Sequence, residues 1–177
     1  MTQPSTFNVT NILEIPILSR IRRNHGLEHD TLHTLAQRLP RTILAGYSDP
    51  GGFWIVGDVS TETLQAAVQE ALQRLRAGER NLAVHPNCGT NFATAGAMAG
   101  LAGASAMLGA GKRWQDKLNR IPVAAVLATL ALVMAQPLGL LIQARITTSG
   151  DPGSLEVVTI QRRQRGRMTT HRIQTRG

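Results

Sequence analysis

Three of the chain's five histidines and one glutamate lie within nine residues, in "RRNHGLEHDTLH", residues 22 to 33. On a helix that turns about 100° per residue, His25, Glu28, His29 and His33 fall inside an arc of about 140°, so the four side chains can address one point in space. His25 and His29 stand at i and i+4, the spacing by which one helix offers two imidazoles to a metal. A solvated polar face would show the same spacing. A second cluster, "HPNCGTN" at residues 85 to 91, sets His85 three residues before Cys88, the only cysteine. Four of the five histidines and the sole thiol thus fall in two short segments. Pro86 and Gly89 bend the second segment, and Asn87, Thr90 and Asn91 can supply hydrogen bonds behind the ligands. A helix-entry turn capped by Asn or Thr is the structural alternative.

His25-Gly26-Leu27-Glu28-His29 also matches the H-x-x-E-H arrangement of the inverted zinc peptidases, in which the glutamate is a base and not a ligand. The expected site is therefore one zinc ion held by His25, His29, His85 and Cys88, with Glu28 beside it as the catalytic group. His33 is a spare ligand or a water holder. The thiol argues for a soft or borderline ion such as zinc over magnesium or calcium. Four protein ligands would close the tetrahedron and make the site structural; three plus water would leave Glu28 a water to activate.

These residues need elements to carry them. Residues 18 to 38 keep a helical period, with Leu18, Ile21, Leu32, Leu35 and Leu39 available to a core and Pro40 ending the segment. Two short apolar runs flank Asp49-Pro50-Gly51-Gly52, which reads as a β hairpin. A second helix opens at Ser60 or Thr61, carries Leu64, Ala67, Val68, Ala71, Leu72 and Leu75 at 3/4 spacing, and ends at Gly78. "LAVH" is expected as a short strand that delivers the second cluster.

The next segments change character. Residues 121 to 142 hold no charge, and about 20 apolar residues suffice to span hydrocarbon. Residues 91 to 111 are also uncharged but rich in small residues, with Gly96, Gly100, Gly103 and Ala104 at spacings that let helices approach closely in lipid. A transmembrane hairpin joined by "KRWQDKLNR" is the expectation; a flexible Gly/Ala linker is the alternative for its first arm. Beyond it, "LEVVTIQRR" and "MTTHRIQTR" alternate as a β hairpin.

The fold expected is α+β, in four parts: an N-terminal segment (1–19), a soluble motif domain (20–90), a transmembrane helical hairpin (91–145) and a basic tail (146–177). The net charge is +8. Seven arginines against Asp151 and Glu156 give the stretch from Arg145 to Gly177 a net +5 of that charge. Arg162, Arg163, Arg165 and Arg167 are assigned to an anionic lipid surface and not to nucleic acid, because the tail lacks interleaved aromatics. The first 16 residues lack the basic-then-apolar pattern of a cleaved signal peptide. The arginine count places both termini on the cytoplasmic side of an inner membrane. One cysteine excludes an internal disulfide framework.

The two motifs, followed directly by an apolar hairpin, resemble a family of uncharacterised bacterial membrane proteins of unknown function; a second such family shares H-G-x-E-H followed by H-P-x-C-G-T. The resemblance covers roughly residues 20 to 145. It implies that His25, Glu28, His29, His85 and Cys88 form a functional signature, and it supplies no reaction. Two functions stand open: a membrane-anchored, zinc-dependent hydrolase of peptidase-like type, and a non-catalytic metal-stabilised module that assists assembly of a membrane complex. Lipid, a membrane-protein partner or a second copy of the chain are the partners expected.

Overall fold

The computed structural model describes residues 12–166 and 168–177. It is an α+β structure in two compact units, one built from the chain up to His85 together with Ala144–Gly177, the other from Pro86–Gln143.

In the first unit, helix α1 spans Pro16–Arg38. Proline in its first turn costs no hydrogen bond, because the first N–H groups of a helix lack partners in any case. The helix stops at Leu39, whose N–H donates to the Leu35 carbonyl at 2.8 Å, one residue before Pro40. Strands β1 (Ala45–Asp49) and β2 (Gly52–Val56) form the hairpin, in the register Asp49↔Gly52. The turn needs glycine at Gly52, where φ is +138°. Helix α2 (Thr61–Arg76) is capped by the Ser60 hydroxyl, which accepts from the Thr63 N–H at 3.1 Å. Its buried face is the expected one: Leu64, Ala67, Val68, Ala71, Leu72 and Leu75. Strands β3 (Glu156–Arg165) and β4 (Met168–Arg176) complete an antiparallel sheet of order β1-β2-β4-β3. Phe53, Ile55 and Ile173 from the sheet meet Leu27 and Leu35 of α1 and the α2 face in one core.

The second unit holds helix α3 (Gly89–Ala106), a short helix α4 (Trp114–Leu118) and helix α5 (Ile121–Ile142). Helices α3 and α5 pack on each other. A π-helical stretch, Gln143–Thr147, follows α5.

Several expectations change here. The last 32 residues are no separate tail: β4 pairs with β2, from Gly52↔Gln174 to Val56↔Thr170. Ile173 is the one large buried apolar residue of β4, and β2 brings the rest. The "LAVH" segment is no strand either. Arg80–Ala83 forms a 3-10 turn against α1, where the carbonyl of Ala83 finds a side-chain donor in place of a ladder partner. Leu18 is exposed, and Leu27 takes the core position.

The membrane hairpin is corrected in one respect. Among the described residues one helix, α5 with its flanks, is long and apolar enough to cross a membrane, where two were expected. Gly, Ala, Ser and Thr give α3 little apolar surface per residue, whereas Leu, Ile and Val give α5 much. Nor do the α3 glycines form the close contact. A β-carbon on Gly96, Gly100 or Gly103 would meet no described atom within 4 Å, while one on Gly139 of α5 would lie 2.6 Å from Asn91 Oδ1.

Candidate metal centre

Helix α1 carries His25, Glu28 and His29 on one side, and the surrounding chain fixes each of them. The Nδ1 atom of His25 lies 3.0 Å from the Thr147 carbonyl, and that of His29 lies 2.7 Å from the Ala83 carbonyl. A carbonyl can only accept, so in both rings Nδ1 carries a proton, and in the neutral ring Nε2 is then the atom left with the lone pair. An imidazole in this state is a metal ligand already set in tautomer and orientation. The two rings meet edge to face with centroids 4.3 Å apart, and His85 lies beside His29 at 5.8 Å between centroids. Two imidazoles on one tetrahedral ion, each nitrogen about 2 Å from it, put their centroids on the order of 5 Å apart.

Gly26 of the first motif now has a reason. Residue 149 crosses directly over it: the Ser149 N–H donates to the Arg22 carbonyl at 2.9 Å, and a β-carbon on Gly26 would overlap the Ser149 carbonyl. That crossing presents the Thr147 carbonyl to His25. Arg22 holds the same strand of chain, donating to the carbonyls of Arg145 at 3.2 Å and Thr148 at 3.3 Å.

Glu28 is buried, and the Ser48 hydroxyl on β1 donates to its Oε2. Gly46 makes room for it, since a β-carbon there would lie 2.5 Å from Glu28 Oε1. His33 stands apart from the trio, half-buried, with its Nε2 3.0 Å from the Gln37 side-chain amide one turn on.

Cys88 is the N-cap of α3, and its Sγ accepts from the Thr90 N–H at 3.4 Å. An N–H and the positive end of a helix dipole thus face the sulfur, a setting that stabilises negative charge on it. Thr90 gives its carbonyl to the Thr94 hydroxyl at 2.8 Å, and Asn87 is exposed in the preceding turn. Within the first unit, His25 and His29 offer a metal ion two ring nitrogens from one helix.

The basic stretch divides between the two faces of the sheet. Arg162 pairs in register with the buried His171, whereas Arg163 turns to the other face and lies over the Trp54 ring, 5.4 Å from its centroid. Arg172 lies over the same ring at 5.2 Å and forms a two-pronged ion pair with Asp49, which it holds below the usual carboxylate range. Arg165 ends β3, and Arg167 lies outside the described residues. The aromatic absent from the tail's own sequence is therefore supplied by β2.

Two titratable groups escaped the sequence reading. Asp30 is fully buried and its carboxylate oxygens have no hydrogen-bond partner among the described residues, with Arg74 at 3.7 Å as its ion pair. Burial pushes its pKa up to about 6, against the pull of Arg74. On a helical wheel Asp30 shares an arc with Leu27 and Thr34, which was the available signal. His171 is fully buried beside the Thr61 hydroxyl at 3.2 Å, and burial, then Arg162, lower its pKa.

With this geometry in view, the comparisons with known proteins are specific. Residues 20–160 match the family described as "Domain of unknown function (DUF6391)". The chain belongs to that family. Both histidine clusters and α5 fall inside the DUF6391 match, and β4 falls beyond it. An uncharacterised protein of Picosynechococcus sp. is 40% identical over 139 residues, covering 73% of this chain. The chain spans 66% of that relative's length. No solved structure matches it.

Proposed function

We propose that this DUF6391 protein is a membrane-anchored zinc-binding protein, with His25, His29 and Cys88 as ligands and His85 as the fourth. The observation that carries the proposal is the pair of Nδ1–H donations to backbone carbonyls, at 3.0 Å and 2.7 Å. A solvated polar face has no need to fix two neighbouring tautomers. Zinc competes with protons for both ligand types, so affinity falls on acidification. The test is zinc content after purification in detergent: about one ion per chain is expected for the wild type, and much less for His29→Ala and Cys88→Ala. Equal content in all three would end the proposal.

The anchor is α5. Val126, Val133 and Met134 are each about 60% exposed, alongside eight further large apolar residues of the same helix. An apolar patch of that extent belongs in lipid or in an interface. Because β2 pairs with β4, the chain that leaves the first unit after His85 returns to it at Ala144. By the arginine count both termini then lie on the cytoplasmic side.

A second reading, a metal-dependent hydrolase, draws on Glu28, which is buried on the ligand helix and oriented by Ser48. Glu28→Gln distinguishes the two. Under either reading it keeps the zinc, and under the hydrolase reading it removes activity.

A further inference from the structure

The second motif ends in Asn91, and its carboxamide is used at both ends. Asn91 Nδ2 donates to the Pro86 carbonyl at 2.7 Å, which closes the turn of residues 86 to 91 on itself. Its Oδ1 accepts from Gln143 Nε2 at 2.6 Å. Gln143 is fully buried and stands at the C-cap of α5, just where the helix passes into its π-helical stretch. Gly139, one turn earlier, is the only kind of residue that lets the Asn91 amide sit against α5, since a β-carbon there would lie 2.6 Å from Oδ1 and 3.1 Å from the Asn91 Cα. Asn91 near the start of α3 and the Gly139–Gln143 turn at the end of α5 thus build one polar joint in the helix pair.

The joint has a direction. Backbone bonds alone would start α3: Asn91 N–H and Phe92 N–H both reach the Cys88 carbonyl, at 2.9 Å and 3.4 Å. They set the start of the helix, and the Asn91 carboxamide adds a side-chain tie from that start back to Pro86. Gln143 anchors Asn91 in turn to a residue with no exposure. The bond is part-buried, with the Gln143 side fully enclosed and Asn91 half-buried, so it is worth more than an exposed amide pair would be.

We propose that Asn91 and Gln143 are positioning residues for the thiol: together they fix the turn that aims Cys88 Sγ at the metal. The inference rests on the zinc reading above. Partners behind metal ligands commonly carry about 10- to 100-fold in affinity, and this pair acts at that level without touching the ion. The sequence motif gives Asn91 only a general part in hydrogen bonding behind the ligands, and it does not point to Gln143.

The test uses cobalt(II) in place of zinc on the full chain in detergent, because the thiolate-to-cobalt charge-transfer band reports the sulfur bond directly. Asn91→Asp keeps the acceptor for Gln143 and loses the donor to Pro86, since a carboxylate cannot donate to a carbonyl. Its cobalt affinity is expected to fall about 10- to 100-fold, with a spectrum shifted toward that of Cys88→Ser and with helix content unchanged. Gln143→Met removes the anchor at nearly constant volume, and about a tenfold loss with a weaker band is expected. Should Asn91→Asp fail to fold, Gln143→Met is read by the same band. Wild-type affinity and band shape in the folded variants would overturn the inference and leave the metal reading standing. A wild-type protein without a thiolate band would end the metal reading, and the inference with it.

Discussion

Helices α1 and α5 are inverted with respect to each other. Helix α1 hides its polar residues: Asn24, Glu28, His29, Asp30, Thr31 and Thr34 are buried together with Leu27 and Leu35. Helix α5 shows its apolar ones, burying only Ala135 and Gly139 among its 22 residues. Each arrangement costs free energy in water unless something else compensates. For α1 the compensation is internal and partly visible, as carbonyls meet His25 and His29 and a hydroxyl meets Glu28. For α5 the described residues do not cover it, and under the anchoring proposed above lipid would supply the compensation. A helix that hides polar groups is built around a site, and one that shows apolar groups is built for a surrounding.

The strongest way to break the comparison is to charge α5. Val133→Arg at the middle of the helix is expected to cost about 3 kcal/mol of insertion and to move the protein out of the membrane fraction on cell fractionation. If water surrounded that face, the substitution would change stability by no more than about 0.5 kcal/mol, and the protein would stay where it was.

Next comes Asp30, the polar residue of α1 whose burial is least compensated. Its pKa, raised from 3.8 to about 6, means that the folded state holds its proton more tightly than the unfolded one. Through this group alone, stability declines as pH rises from about 4 to about 6, by up to about 3 kcal/mol. Asp30→Asn removes that cost, so denaturant unfolding at pH 7.5 should show a more stable protein. An unchanged or lower midpoint would mean that the ion pair with Arg74 outweighs the burial.

The same variant uncovers His171. Burial lowers its pKa, so it folds neutral, and its contribution is present above the unfolded value of 6.5 and lost as pH falls below it. In the wild type Asp30 opposes this slope on acidification. In Asp30→Asn the loss should appear alone, as unfolding midpoints that fall steadily below pH 6.5. A flat profile would show that His171 is stabilised by groups other than those named here.

The smallest effect sharpens the second unit. A β-carbon on Gly100 of α3 meets no described atom within 4 Å, so Gly100→Ala should raise the unfolding midpoint through helix propensity alone, by about 1 kcal/mol. Gly139→Ala should do the reverse, because Asn91 occupies the space.

Much of this was legible from local pattern. The spans of α1 and α2, the Asp49–Gly52 turn, the Ser60 cap and the two chemical clusters all follow from rules that act within a few residues. What escaped depends on distant chain. Strand β4 joins β2 across more than 100 residues, and no periodicity in "MTTHRIQTR" reveals which edge it will meet. The carbonyls that orient His25 and His29 come from Thr147 and Ala83, backbone atoms that carry no sequence signature. Gly26 and Gly46 carry no local signal either, because the Ser149 carbonyl and the Glu28 carboxylate that occupy the places of their missing side chains come from distant chain.

The central claim is that α1 gathers its histidines to bind zinc and that Cys88 completes the set. X-ray absorption at the zinc edge of the purified wild-type protein tests it most directly. The account predicts nitrogen scatterers at about 2.0–2.1 Å with one sulfur at about 2.3 Å, the sulfur vanishing in Cys88→Ser. A zinc shell of oxygen alone, a spectrum that Cys88→Ser leaves unchanged, or a chain that takes up no zinc would contradict it.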